Sequence, residues 1–99
     1  MLIFLIGYMG SGKSTTGKKL ARRLGLPFYD LDLLISTHQG LSIPEIFQQK
    51  GEAQFRNVEA AQLRTLNEND HAVVSTGGGT PCHHHNMQWM NQHGYTIYL

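Results

Sequence analysis

The side chains best suited to chemistry lie in one octapeptide, Gly7-Tyr8-Met9-Gly10-Ser11-Gly12-Lys13-Ser14, which satisfies the pattern G-x-x-x-x-G-K-[ST] throughout. Each residue type has a physical task at that spacing. Glycines let consecutive backbone N–H groups curl around a phosphate, and a helix starting at Lys13 turns the positive end of its dipole toward it. Lys13 can reach the β- and γ-phosphates of a nucleoside triphosphate, and the Ser14 hydroxyl can coordinate Mg²⁺. Gly10, Ser11, Gly12, Lys13, Ser14 and Thr15 are the candidate phosphate-binding residues, with Thr15 either bonding an α-phosphate or merely satisfying backbone. The competing reading is a glycine-rich turn that binds nothing. The flanks argue against it, because the motif directly follows an apolar run and directly precedes a helical pattern.

Mg²⁺ needs a carboxylate near such a loop, often at the end of an apolar strand. The run Ala72 to Ser75 ends instead in Thr76 and the glycines Gly77, Gly78 and Gly79. The other source is Asp30-Leu31-Asp32, at the carboxyl end of a second short strand, where ligands gather in open α/β sheets. Two acids one residue apart point to the same side of an extended segment. One could then organise Mg²⁺ and a nucleophile while the other grips a substrate hydroxyl. A solvated helix N-cap, a role Asp favours, explains the pair equally well.

These residues require a scaffold, and the chain punctuates itself into one. Leu2 to Ile6 is a continuous apolar run, as in a central parallel strand covered on both faces. Lys13 to Leu24 reads as a helix with Leu20, Ala21 and Leu24 on one face and Gly25 at its stop. Pro27 to Asp30 reads as a strand, Leu31 to Thr37 as helical, and Ser42-Ile43-Pro44-Glu45 as a capped helix start. A longer helix is expected from about Glu52 to Asn67, with Phe55, Val58, Gln62 and Leu66 forming its inward stripe. His71 to Ser75 is a third strand. Asn86 to His93 is a helix with Met87 and Met90 inward and Gly94 as its C-cap, and Tyr95 to Leu99 has strand composition. The alternation predicts an α/β fold with a parallel sheet, its strands near residues 2–6, 28–30, 72–75 and 95–99.

Composition narrows the class. A chain of 99 residues is one domain's length, and eight Lys plus Arg against seven Asp plus Glu give a net charge of +1. Nucleic-acid binders usually carry a basic stripe, so no nucleic-acid partner is expected. Cys82 is the single cysteine, and a reducing compartment is the default. The apolar start has no preceding basic residue and no cleavage site, so it reads as a strand, not a leader; a cytoplasmic chain with no membrane partner is expected. His83-His84-His85 do not suit one ion as consecutive helical residues, whose directions differ by about 100°; an exposed loop or helix start is expected.

Taken together, the motifs resemble the shikimate kinase family. The resemblance runs along essentially the whole chain in four ordered pieces: the loop Gly7 to Thr15, Asp30-Leu31-Asp32, Gly51-Glu52-Ala53-Gln54-Phe55-Arg56-Asn57-Val58-Glu59, and Thr76-Gly77-Gly78-Gly79. The first piece indicates only a P-loop phosphotransferase or NTPase; the third and fourth are far more specific. The resemblance implies a three-layer αβα P-loop NTPase fold that phosphorylates the 3-hydroxyl of shikimate with ATP and Mg²⁺, in aromatic amino-acid synthesis. It implies catalytic roles for Lys13 and Asp30, with Ser14 and Asp30 at the metal, Asp30 through water if not directly. It places Asp32 on substrate hydroxyls, Arg56 on the substrate carboxylate, and the Gly78 and Gly79 backbone close to the substrate. Arg56 also makes independent sense, since a guanidinium fork matches a carboxylate, although helix pairs with Glu52 or Glu59 would explain it as well. Phe47 and Phe55 are left outside the site.

Members of the family are longer and carry a lid arginine, a second carboxylate-binding arginine and an adenine-contacting segment. Residues 1–99 read as a single P-loop kinase core, with the phosphate loop at 7–15, a substrate region at about 30–60 and no lid. No Lys or Arg follows Arg64, so these residues alone are expected to show little turnover. A monomer is expected. Two other readings stay open: another small-metabolite P-loop kinase of gluconate kinase type, and a noncatalytic nucleotide-binding module. A GTPase is less favoured, because no N-K-x-D motif is found.

Overall fold

Leu2–Ile6 forms the central strand β1, and its five side chains are all buried because neighbours cover both faces. The computed structural model describes residues 1–8, 10, 12–66 and 70–99. Along the chain, β1 is followed by α1 (Lys13–Leu24), β2 (Phe28–Asp30), α2 (Leu31–Gln39), α3 (Ile43–Leu63), β3 (Ala72–Ser75), a 3-10 turn (Thr80–Cys82), α4 (Asn86–His93) and β4 (Tyr95–Tyr98). The strands form one four-stranded parallel sheet in the order β2-β3-β1-β4. From β1 the chain runs out to β2 and back to β3 on one side, then crosses to β4 on the other. The connections out of β1 and out of β3 thus run in opposite directions across the sheet, and the crevice beyond the carboxyl ends of these two strands is where α/β sheets bind ligands.

The alternation of side chains along β1 divides the core. Leu2, Phe4 and Ile6 face α2, α3 and α4, through Leu31, Ile35, Ile46, Phe55, Leu63 and Met90. Ile3 and Leu5, with Val73, face Ala21 and Leu20 of α1. Helices on both faces make the expected three layers. Full burial of a Leu, Ile or Phe side chain is worth about 1.5–3 kcal/mol, so β1 contributes out of proportion to its length.

Several local expectations need correction. The helix start expected at Ser42 and the longer helix expected from about Glu52 are both present: the capping box of Ser42 and Glu45 opens α3 at Ile43, and non-helical backbone at Gly51 (φ 81°) divides α3 into two helical stretches, the second starting at Glu52. It ends at Leu63, where Thr65 Oγ1 donates to the Gln62 carbonyl at 2.6 Å and competes for helix acceptors. Asn67 lies outside the described residues. The buried row of α3 is Phe55, Glu59 and Leu63, with Val58, Gln62 and Leu66 only half-buried. A carboxylate faces inward there because Arg56 and Thr80 pair with it. In α1 the buried row is Lys13, Gly17 and Ala21, which leaves Leu24 off the row and exposed. Gly94 is the C-cap of α4 as expected, its amide donating to the Met90 carbonyl at 2.9 Å, but in extended backbone (φ −174°) and not the left-handed conformation, and a Cβ there would collide with the Leu2 carbonyl oxygen. It is a close-approach glycine that lets β4 lie against β1.

Candidate active site

Beyond Ile6 the chain turns into the phosphate loop, where Gly10 (φ 81°) and Gly12 (φ 82°) occupy a region L side chains avoid. Gly12 is the N-cap of α1 and offers no side-chain acceptor, so the first-turn amides have no side-chain cap. An anion is the natural acceptor there. Lys13 is nearly buried and folds back over the loop, with Nζ donating to the Gly7 carbonyl at 2.7 Å and the Tyr8 carbonyl at 2.8 Å. Ser14 and Thr15 border the same cleft, whose volume is about 310 Å³. Ser11 and Met9 lie outside the described residues.

Asp30, Asp32, Ser75, Thr76, Gly77 and Gly78 form the opposite wall. Asp30 is the N-cap of α2, its Oδ1 accepting the amides of Asp32 (3.0 Å) and Leu33 (3.4 Å). Asp32 therefore stands on the first turn of a helix and not on an extended segment. The capping role and the cleft role coincide in Asp30: both cap bonds use Oδ1. Ser14 and Asp30 together offer hydroxyl and carboxylate oxygens, the hard donors Mg²⁺ takes, so the residues fit the ion expected beside a nucleotide. The backbone of Thr76 donates to the Leu5 carbonyl at 3.1 Å and its hydroxyl to the same oxygen at 3.0 Å, tying the end of β3 to β1.

Burial, then the charges of Asp30 and Glu59, push the Asp32 carboxyl above its ordinary range, against the pull of Arg56 and Lys13. A raised acid favours folding in its protonated form, so ionised Asp32 costs stability, and that cost appears as pH rises above the ordinary value of 3.8. Asp32→Asn is expected to melt higher than the parent at neutral pH and to converge with it in acid, as melting scans across that range would show. A variant that melts lower at neutral pH would contradict this.

Arg56, on α3, does not line that cleft and borders a neighbouring pocket with Glu52, Asn57 and His83. Its Nη1 lies 3.1 Å from Glu59 Oε1 and 3.3 Å from Oε2, and its Nε 3.8 Å from Glu52 Oε1. The helix pairing allowed by sequence is thus present, but it leaves the guanidinium incompletely used. Nε is buried without a hydrogen-bond partner, and a Cβ on Gly79 would stand 2.7 Å from Nη2. Gly79 accordingly lies beneath Arg56, whereas Gly78 borders the cleft. Gly77, not singled out by sequence, is the glycine beside Asp32: a Cβ there would sit 3.2 Å from Asp32 Oδ1. Asp30 and Asp32 share the cleft with the loop, and Arg56 adjoins its glycine rim. Phe55 is core, stacked on Phe47 at 4.6 Å. Glu59 and Thr80 also belong to this assembly although sequence assigned them no role; the spacing of Glu59 from Arg56 was the available signal. His84 and His85 are exposed in a turn, and among the described residues no three His, Cys, Asp or Glu side chains gather to hold a metal.

A family model described as shikimate kinase matches residues 9–99. The chain belongs to the shikimate kinase family. Among curated relatives, shikimate kinase of Aquifex aeolicus is 46% identical over 99 residues, covering 100% of this chain and 59% of that protein. Shikimate kinase of Bacteroides fragilis is 48% identical over 97 residues, covering 98% of this chain and 54% of that protein. The chain therefore spans a little over half the length of these relatives. Solved structures agree: the Aquifex aeolicus enzyme matches with a TM-score of 0.94 at 46% identity, over 100% of this chain and 59% of its own. That of Acinetobacter baumannii, solved in complex with shikimate, matches with a TM-score of 0.94 at 40% identity, over 99% of this chain and 55% of its own. The shikimate kinase fold is thus present in these residues, and among those described no helix is long and apolar enough to cross a membrane.

Proposed function

We propose that this site serves ATP-dependent phosphorylation of the 3-hydroxyl of shikimate, in a monomeric cytoplasmic protein. The observation that carries the reading is the convergence on one cleft of Gly10, Gly12, Lys13, Ser14 and Thr15, the Asp30 and Asp32 carboxylates and Gly78, with Arg56 in the neighbouring pocket against Gly79. The family membership and the shikimate complex of the Acinetobacter baumannii relative support it. Lys13 binds the β- and γ-phosphates, with the amides of Gly10 to Thr15 around them. Ser14 and Asp30 hold Mg²⁺, which neutralises charge on the triphosphate when bound. Asp30 orients the acceptor hydroxyl, Asp32 accepts hydrogen bonds from neighbouring hydroxyls, and Arg56 pairs with the carboxylate.

Among the described residues Lys13 is the one cation lining the cleft, and an arginine at the transferring phosphate is worth about 10³–10⁵ in rate. Residues Met1 to Leu99 alone are therefore expected to release ADP with shikimate at least about 10³-fold more slowly than the Aquifex aeolicus relative. A coupled ADP-release assay on both checks this; equal turnover would contradict it.

A further inference from the structure

The geometry points to Thr80, Asn86 and Arg64 as positioning residues for Arg56: a buried hydrogen-bond relay sets the pose of the side chain that takes the substrate carboxylate. The inference rests on that reading of Arg56. Glu59, Thr80 and Asn86 are at most 1% exposed, and each finds its partner in the next. Arg56 Nη1 donates to Glu59, Thr80 Oγ1 donates to Glu59 Oε2 at 2.8 Å, and Asn86 Nδ2 donates to the Thr80 carbonyl at 2.9 Å. Arg64 closes the far end, with Nη1 donating to Asn86 Oδ1 and Nη2 to the His84 carbonyl, both at 2.7 Å.

The relay starts on α3 at Arg56 and ends at the helix's C-cap, Arg64, and in between it grips the turn that follows the glycine rim. Thr80 directly follows Gly79, which underlies Arg56, so the relay fixes both the guanidinium and its floor. Glu59 accepts Nη1 alone, while Nη2 faces Gly79 and Nε is buried without a hydrogen-bond partner. Buried ion pairs of this kind are weak sources of stability compared with apolar packing. What this one supplies is a single orientation of a planar fork, which bidentate carboxylate recognition demands.

The test compares binding of shikimate with that of its methyl ester, which lacks the charge, by calorimetry. Thr80→Val is expected to weaken shikimate about tenfold, the loss of roughly one hydrogen bond to a charged group, and to change the ester by less than about twofold. Thr80→Ser, which keeps the hydroxyl, should restore shikimate binding to within about threefold of the parent. Arg64→Met cuts the relay at an exposed residue, keeps the apolar stem, and should lower the preference for shikimate over ester about threefold. It decides the matter if Thr80→Val does not fold. The relay is overturned if the deciding variant keeps the parent's preference while Arg56→Ala abolishes it. If Arg56→Ala itself keeps that preference, the carboxylate role of Arg56 fails, and the relay with it.

Discussion

Lys13→Ala is expected to weaken MgATP binding by about 30-fold to 5,000-fold, since truncating one partner of a desolvated charge pair costs about 2–5 kcal/mol. In any longer chain that turns over, it should also cut the rate by about 10²–10³, the loss typical of one preorganised electrostatic donor. The size follows from placement. The ammonium is nearly buried and is already held inside the loop by the Gly7 and Tyr8 carbonyls, so little ordering remains to be paid when phosphate arrives. Titration calorimetry with MgATP and the nonhydrolysable analogue checks it. Affinity within about threefold of the parent would mean that the loop amides alone carry phosphate binding.

Arg56→Ala should have two separable effects. Shikimate affinity falls by about 30-fold or more, because a hydrogen-bonded guanidinium partner of the carboxylate is gone. Stability falls as well, by about 3–5 kcal/mol, because Glu59 is left as an uncompensated charge in the core. For a domain of this size each kcal/mol moves the melting temperature by about 4–8 °C, so the variant is expected to melt far lower. The double variant Arg56→Ala with Glu59→Gln separates the two. Neutralising Glu59 should recover most of the stability, while shikimate binding stays lost. Recovery of binding along with stability would show that Arg56 acts only as a counter-ion for Glu59.

The difference between what sequence revealed and what it concealed has a physical basis. The phosphate loop was legible because its chemistry is contiguous: glycines, lysine and hydroxyl act within one turn between a strand and a helix. The strands were legible because β1 and β3 are buried on both faces and read as unbroken apolar runs. Asp30 presented two readings, a helix cap and a carboxylate for metal and nucleophile; the cap is present through Oδ1, and the same residue lines the cleft. Glu59 was illegible as a buried residue. Its local pattern is that of an exposed helix pair with Arg56, and the second partner that joins Arg56 in the core, Thr80, lies 21 residues later. The same cause misplaced the inward stripe of α3, which apolar periodicity centred on Val58 and Gln62. Gly94 was legible as the C-cap of α4 but not as a close-approach glycine, because that contact is with Leu2, at the other end of the chain.

The central claim is that one cleft binds a nucleotide and shikimate together, and calorimetric titration of the chain with shikimate in the presence of MgADP tests it most directly. A single shikimate site is expected, strongly weakened in the Arg56→Ala, Glu59→Gln double variant. Nucleotide binding with no shikimate binding would contradict the account and identify the chain as a noncatalytic nucleotide-binding module.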